Sequence, residues 1–216
     1  KSRVISSRIR NYKSSLDAAT NNDDSNENVY HTLLDAMNKN LYLNHEYLSL
    51  KAKLLNKEKL QMYDVYLNTL ETEKDHIEYE DAKNTVLDAL GILGEEYVNK
   101  LKEAFDNNWI DVYEKENKMG GAYSMGVHTL HPFVLLNFIN SSRDVSTIAH
   151  ELGHSMHSYY ASKNQNIINA NYTIMVAEVA STVNEILLNR YMIENSKDID
   201  DKIFFIDQYI KQIKSR

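Results

Sequence analysis

The sequence predicts a mainly helical fold, and two observations support this prediction. Glycine and proline are scarce, with six Gly and one Pro in 216 residues, whereas β-rich folds need both residue types for their turns. Apolar residues also recur at spacings of three and four along most of the chain, as amphipathic helices require. The length is sufficient for one large domain with a substantial core.

The first half of the chain contains four predicted helices, over residues 2–19, 27–55, 78–91 and 95–107. The Asn, Asp and Ser residues of segment 20–28 end the first of these helices. The second helix carries an apolar stripe formed by Tyr30, Leu33, Leu34, Met37, Leu41, His45 and Leu48. A histidine on such a stripe is more often a satisfied core residue than a ligand, so we favour a core role for His45.

Residues 119–140 form the exception to this helical pattern. Gly120 and Gly121 indicate a turn, and the flanking segments are short and rich in aromatic and β-branched residues. The pattern predicts a small β hairpin just before the next helix. Its exposed edge could bind a peptide as an added strand, with Gly121, Ala122, Tyr123 and Ser124 as candidate substrate contacts. A purely structural hairpin fits the spacing equally well.

Two histidines, His128 and His131, lie in the loop of this predicted hairpin. Their spacing would suit a metal only if a helix aligned the two rings. A second metal site is therefore disfavoured here.

The helix predicted over residues about 143–161 carries the main chemical motif of the chain. His150, Glu151 and His154 form an H-E-x-x-H pattern. Each helical residue advances about 100°, so the two His side chains lie about 40° apart on one face and can bind one metal ion. Glu151 projects to the side, where its carboxylate can contact a metal-bound water as a general base. The pattern is typical of a catalytic zinc site.

Two other residues of this helix allow two interpretations each. His157 either lines the site as a hydrogen-bond donor or is an ordinary residue of the helix face. Gly153 is costly inside a helix, by about 1 kcal/mol relative to Ala. Close approach of substrate or of another helix would explain Gly153, and so would chance.

A third zinc ligand is needed, and the extended metzincin pattern does not supply it. That pattern requires Gly and His where this sequence has His157 and Tyr160. A helix predicted over residues about 173–195 carries Glu178 in an apolar segment, where an ionised carboxylate without a partner would cost several kcal/mol. Glu178 is therefore the candidate third ligand. Glu185 returns to nearly the same face and is a weaker candidate acceptor for the free ring N–H of a ligating His.

These motifs resemble those of a known family. Residues 150–157, HELGHSMH, and residues 176–185, VAEVASTVNE, are similar to the oligoendopeptidase F branch of the thimet oligopeptidase and neurolysin family of zinc peptidases. Four upstream segments resemble the same family in the same order: residues 109–113, 121–124, 132–137 and 144–150. The resemblance covers most of the chain and is densest between residues 109 and 185.

The resemblance implies a gluzincin-like helical metalloendopeptidase with one Zn²⁺ per chain. It makes His150, His154 and Glu178 the zinc ligands and Glu151 the general base that assists a zinc-activated water. It also implies a deep channel that admits short unstructured peptides and excludes folded proteins. Residues 1–76 would be a helical part of the peptidase domain and residues 77–216 its zinc-binding core, together one structural unit.

The sequence departs from the family in one respect. Family members stabilise the oxyanion with a His and one or more Tyr from a segment well beyond the zinc helices, and this sequence ends at Arg216 before such a segment. The final apolar pattern continues to Ile213, and the first residue is Lys1 rather than Met. We therefore expect an incomplete catalytic domain, truncated at both ends, that binds zinc but turns over peptides poorly.

Composition restricts partners and location. The net charge of -7 argues against nucleic acid as a partner, because phosphate binding needs a basic face. No apolar run is long enough to span a membrane. The absence of Cys removes thiolate metal sites and fits a reducing, cytoplasmic location. The oligomeric state cannot be read from the sequence.

Two other functional classes are weighed against a peptidase. A helical binding module with structural zinc would need a closed site with four ligands, whereas three good protein ligands are visible. A metal-free helical scaffold gives no reason for Glu178 in its apolar segment.

Overall fold

The structure, a computed structural model, describes residues 1–69 and 76–215 and is mostly helical, as predicted. The chain divides into two compact units, Lys1–Glu71 and Thr72–Arg216. Within the described residues, none of the helices combines the length and the apolar character needed to cross a bilayer.

The described residues of the first unit, 1–69, form three α-helices and a short 3-10 helix at Met62–Tyr66. The α-helices are α1 at Ser2–Ile9, α2 at Ser15–Asn21 and α3 at Glu27–Leu54. The prediction of one helix over residues 2–19 is wrong, because the chain turns between α1 and α2. Asn11 has a φ of 60°, and the Ser14 side chain accepts a hydrogen bond from the Asp17 backbone N–H to cap α2.

Helix α3 ends one residue before the predicted end, but its predicted apolar stripe is not a core face. Leu33 is 60% exposed and Met37 is 63% exposed, and His45 is also exposed. The assignment of His45 to the core is therefore wrong. The buried residues of α3 are Lys51 and Ala52, and the Lys51 Nζ donates to the Val65 carbonyl at 2.7 Å.

In the second unit, residues 76–215 are described, and they form five α-helices and a small sheet. The helices are α4 at Tyr79–Ala89, α5 at Glu95–Asp106, α6 at Ser142–Asn164, α7 at Ile174–Glu194 and α8 at Ile199–Ser215. A short 3-10 helix at Leu90–Leu93 joins α4 to α5. Gly94, at the start of α5, has a φ of 96°, in the region that favours glycine.

The sheet has three strands in the order β1-β3-β2, with β1 at Ile110–Tyr113, β2 at Tyr123–Met125 and β3 at Phe133–Phe138. Strands β2 and β3 are antiparallel and form the predicted hairpin. Strand β1 was not predicted. It pairs with β3 in parallel, and four residues are too few to give a clear alternating pattern.

The core of the second unit lies between the sheet and helices α4 to α7. Alternate residues of β3 face this core, because successive side chains of a strand point to opposite faces. The buried apolar residues include Val86, Leu90, Leu101, Trp109, Val134, Leu136, Phe138, Val145, Ile148, Leu152, Met156 and Leu188. The sheet thus supports the buried face of α6.

Candidate metal centre

Helix α6 carries the H-E-x-x-H residues in its middle turns. Its N-terminus is held by hydrogen bonds to side chains. Ser141 caps the helix, and the Asp144 side chain accepts a hydrogen bond from the Ser141 backbone N–H in return, which forms a capping box. The apolar face of α6 packs into the core of the unit. The Nε2 atoms of His150 and His154 lie 3.1 Å apart, one turn of helix from each other.

Helix α7 approaches α6 very closely at Gly153. A Cβ atom built on Gly153 would lie 2.6 Å from Ser181 Cα and 2.8 Å from the Ala180 carbonyl oxygen. A larger residue would therefore push the two backbones apart. Of the explanations considered for this glycine, close approach of the second helix is the one that the packing supports.

The polar groups at this helix crossing are paired. Asn184 Nδ2 donates to the Ala149 carbonyl at 3.0 Å, and Tyr97 OH donates to Asn184 Oδ1 at 2.9 Å. Asn184 is 1% exposed and Ser181 is fully buried, so these bonds form away from water. They fix the register of α7 along α6. The role of Asn184 was not predicted, although an Asn among apolar residues of a helix is a signal for such a bond.

Glu178 projects from α7 towards the two imidazoles. Its Oε2 lies 3.7 Å from His150 Nε2, and its Oε1 lies 3.8 Å from His154 Nε2. Ligand atoms of these residues all lie within 4.8 Å of one another, and no other such group of three potential ligands occurs among the described residues.

The three residues fit a zinc ion. Zinc binds imidazole nitrogen and carboxylate oxygen at about 2.0–2.2 Å, which places neighbouring ligands of a tetrahedral ion about 3.3–3.6 Å apart. The two imidazole nitrogens are 3.1 Å apart, and each has one oxygen of the Glu178 carboxylate at 3.7 or 3.8 Å, which is close to this range. Two nitrogens and one carboxylate oxygen are also a donor set that zinc prefers in hydrolytic sites.

The sequence-based reason for choosing Glu178 is wrong, although its position agrees with the choice. Its side chain is 44% exposed, so little desolvation needs to be offset. The apolar residues around Glu178 are exposed too: Ile174 66%, Met175 51%, Val179 60% and Val183 42%. The short distances from Glu178 to the two imidazoles are what support it as the third ligand.

Glu151 is only 6% exposed and lies outside this group of three residues. Burial raises the pKa of Glu151, His150 opposes the rise, and Glu178 and Glu185 add to it. A carboxyl group with a raised pKa holds a proton more readily than an exposed glutamate, as a general base must do once it has accepted one.

Glu185 lies behind His150. Its Oε2 is 3.2 Å from His150 Nδ1, and its side chain is 7% exposed. This contact leaves Nε2 of His150 directed towards His154 and Glu178, and the role of Glu185 as acceptor for the ring N–H stays a prediction.

Three further histidines, His128, His131 and His157, have other contacts. The His157 ring stacks on Tyr172, with centroids 3.7 Å apart, and burial lowers the pKa of His157. His131 stacks on Trp109 with centroids 5.1 Å apart, and His128 Nε2 lies 3.1 Å from the Gln165 carbonyl oxygen. His128 and His131 are therefore held by separate contacts, and the role of His157 stays a prediction.

The predicted substrate segment, Gly121 to Ser124, leads into β2, which pairs with β3 on one side and is an edge strand of the sheet. The Oγ atoms of Ser124 and Ser155 are 2.8 Å apart, which ties β2 to α6. Tyr123 is 42% exposed. A cleft of about 260 Å³ adjoins this segment and is lined by Gly121, Ala122, Leu136, Asn137, Phe138, Arg143, Asp144 and Thr147.

Comparison with known proteins identifies relatives across the whole chain. Peptidase family M3 matches residues 1–216. Oligopeptidase PepF of Bacillus subtilis is 40% identical over 204 residues, which are 94% of this chain and 30% of that protein. An oligoendopeptidase F homolog of Lactococcus lactis is 37% identical over 212 residues, 97% of this chain and 35% of that protein. The chain thus spans about a third of the length of these relatives.

Solved structures agree with the sequence matches. A protein from Chlamydophila abortus, 38% identical, superposes with a TM-score of 0.87 over 99% of this chain and 36% of that chain. The oligoendopeptidase-F of Enterococcus faecium, 30% identical, gives a TM-score of 0.63 over 99% of this chain and 30% of that chain. The chain therefore belongs to peptidase family M3 and is related to the oligoendopeptidase F proteins.

Proposed function

We propose that the candidate metal centre and Glu151 form the metal-binding and proton-transferring part of a zinc-dependent endopeptidase that hydrolyses short unstructured peptides. The observation that carries the proposal is the convergence of His150, His154 and Glu178 at separations suited to one tetrahedral ion. The names of the relatives, oligopeptidase and oligoendopeptidase F, support the choice of peptides as the substrate class.

His150, His154 and Glu178 would hold one Zn²⁺ and leave one coordination position for water or substrate. Bound there, zinc would lower the pKa of water and polarise the peptide carbonyl. Glu151 would accept the proton of the attacking water and deliver it to the nitrogen of the departing amine. Its burial supports this role, because a proton held away from bulk water is transferred to the substrate rather than lost to solvent.

The edge strand β2 would hold the peptide. A peptide added beside β2 would pair its main-chain groups with the strand, so that binding depends little on side-chain identity. Ser124 is tied to α6 through Ser155, just one residue beyond His154, which supports a fixed distance between the peptide and the metal centre. The direct contacts of Gly121, Ala122, Tyr123 and Ser124 with substrate, a cytoplasmic location and the absence of nucleic-acid partners stay predictions.

A structural zinc site is the main alternative. Such sites are closed by four protein ligands. Among the described residues, the group around His150 contains three. The open position favours a catalytic ion over a structural one.

Replacing Glu151 by Gln in the full-length protein tests the proposal. We expect hydrolysis of a fluorogenic peptide to fall by about 100-fold or more, because general-base catalysis contributes about 10²- to 10⁴-fold. Zinc content, measured by mass spectrometry, should remain one ion per chain. Glu116→Gln, at an exposed loop position, is the matched control and should retain activity. Unchanged hydrolysis in Glu151→Gln would exclude Glu151 as the base.

A further inference from the structure

The Glu185 carboxylate is held by a chain of hydrogen bonds that includes a side chain of α8. Ser146 Oγ donates to Glu185 Oε1 at 3.4 Å and accepts from Gln212 Nε2 at 3.2 Å. Gln212 Oε1 accepts from Asn189 Nδ2 at 2.6 Å. Ser146 lies on α6, Glu185 and Asn189 lie on α7, and Gln212 lies on α8. Three helices therefore contribute to the surroundings of one carboxylate.

Asn189 determines the direction in which these hydrogen bonds donate. Asn189 Nδ2 donates both to the Glu185 backbone carbonyl, at 2.8 Å, and to Gln212 Oε1. Because the Gln212 oxygen faces Asn189, its amide nitrogen faces Ser146. The Ser146 oxygen then accepts from Gln212, and the single hydroxyl proton of Ser146 is left to donate to Glu185.

Glu185 Oε1 accepts a hydrogen bond from Ser146, and Glu185 Oε2 lies 3.2 Å from His150 Nδ1 in an ion-pair contact. The hydrogen bond at Oε1 restricts rotation of the carboxylate, so that Oε2 stays beside His150 Nδ1. A fixed carboxylate keeps the proton of His150 on Nδ1 and leaves Nε2 as the nitrogen that can bind a metal.

The Glu185 carboxylate borders a cavity in which water could replace a side-chain donor. A cavity of about 110 Å³ between α7 and α8 is lined by Glu185, Gln212, Thr182, Ile186, Tyr209 and Ile213. Water in such a cavity could take the place of a lost side-chain donor with a looser geometry. The hydrogen bond from Gln212 to Ser146 thus favours the arrangement in which Ser146, and not water, donates to Glu185 Oε1.

We propose that Gln212 and Ser146 are positioning residues of the metal centre, which act through Glu185 to fix the ring of His150. This inference rests on the proposed function, because it requires His150 to bind the metal. It makes α8 part of the metal centre, although α8 supplies none of the three candidate ligands.

The test measures metal affinity in the full-length protein by competition with a chelating dye, for Zn²⁺ and for Co²⁺. Gln212→Leu and Ser146→Ala should each weaken binding about three- to tenfold, the equivalent of one net hydrogen bond. The visible absorption of the bound Co²⁺ should change as well, because the ring orientation of a ligand changes. Gln212→Glu keeps the size and the acceptor but loses the donor, so it should weaken binding like Gln212→Leu. Ser146→Thr retains the hydroxyl and should restore affinity.

Controls separate this role from simple packing. Gln208→Leu, one turn earlier on α8, has no hydrogen bond to lose among the described residues and should leave affinity unchanged. In a Glu185→Gln background, Gln212→Leu should have no further effect. Equal affinities of Gln212→Leu and Gln208→Leu, or an undiminished effect in the Glu185→Gln background, would overturn the inference alone. Failure of the unmutated protein to bind either metal would instead overturn the proposed function.

Discussion

Two side chains of the candidate metal centre have further contacts that limit where they can point. Glu178 Oε2 accepts a hydrogen bond from Ser181 Oγ at 2.9 Å, and His150 Nδ1 lies beside Glu185. Side chains that are held before the metal arrives lose little conformational freedom when they bind it. Glu178 and His150 should therefore lose little conformational freedom when they bind an ion.

The pKa of His154 leads to a prediction for the metal-free protein. Burial, and then the neighbouring His150, lower this pKa below its ordinary value of 6.5, while Glu178 opposes the shift. An NMR titration of the metal-free full-length protein should therefore give His154 a midpoint below 6.5. The same titration in denaturant provides the control value for the unfolded chain.

The sign of the effect on stability follows by linkage. Between the folded pKa of His154 and 6.5, the unfolded chain binds more protons, so the free energy of unfolding rises with pH across this window. Stability should accordingly be lost as the pH falls below 6.5, and the lowered pKa of His157 contributes in the same direction. A His154 midpoint above 6.5 would contradict this account.

At the residue scale, site residues are predicted best where the chemistry requires a fixed sequence spacing between them. The helical period places His150 and His154 on one face, and the structure brings their Nε2 atoms to 3.1 Å. Glu178 was selected for its apolar neighbours, and those neighbours are exposed. Ser146 and Gln212 could not have been found from sequence, because a hydrogen bond over 66 positions leaves no local pattern.

At the scale of elements, the centre depends on the crossing of α6 and α7. Gly153 lets the two helix backbones approach, and Asn184 bridges from α7 to the Ala149 carbonyl of α6. The separation of these helices sets the distance from Glu178 to the imidazoles. A change in packing at the crossing therefore becomes a change in metal geometry.

Replacing Gly153 by Ala tests this dependence. The new Cβ would meet Ser181 Cα at 2.6 Å, and because backbone cannot move aside easily, we expect a destabilisation of about 1–3 kcal/mol. Denaturant unfolding of the full-length protein measures it, and zinc affinity should fall in parallel. Gly91→Ala is the matched control, since nothing lies within 4 Å of a Cβ there. Equal stability of the two variants would contradict the close approach.

Two features were not predicted from the sequence, the break between α1 and α2 and strand β1, because each depends on a few residues. The break between α1 and α2 depends on one positive φ at Asn11 and one cap at Ser14, within an otherwise amphipathic run. Strand β1 is defined by its parallel pairing with β3, more than 20 positions along the chain. Long helices such as α3 and α6 are predicted well because their period repeats many times.

At the scale of the molecule, the candidate ligands come from two helices, so a bound ion would link α6 to α7. An ion that binds the folded state and not the unfolded chain stabilises the fold by mass action. At a free zinc concentration of 100 times Kd, the gain should be about 2.7 kcal/mol.

Thermal unfolding of the metal-free full-length protein with and without zinc measures this gain. We expect Tm to rise with zinc and to return after chelation. Mg²⁺ is the control, because it prefers oxygen ligands and should leave Tm unchanged. A Tm that is independent of zinc would show that the ion does not bind the folded state selectively.

The fold class follows from composition and periodicity, because six Gly and one Pro cannot supply the turns of a β-rich protein. Membership of peptidase family M3 was anticipated through the residues around the motif. The division into two units depends on contacts between residues that are distant in sequence, and periodicity carries no information about them.

The most direct test of the central claim is anomalous diffraction at the zinc edge from crystals of the zinc-loaded full-length protein. We predict one peak at about 2.0–2.2 Å from His150 Nε2, His154 Nε2 and a carboxylate oxygen of Glu178. A peak elsewhere, or Glu178 turned away from the ion, would contradict the claim.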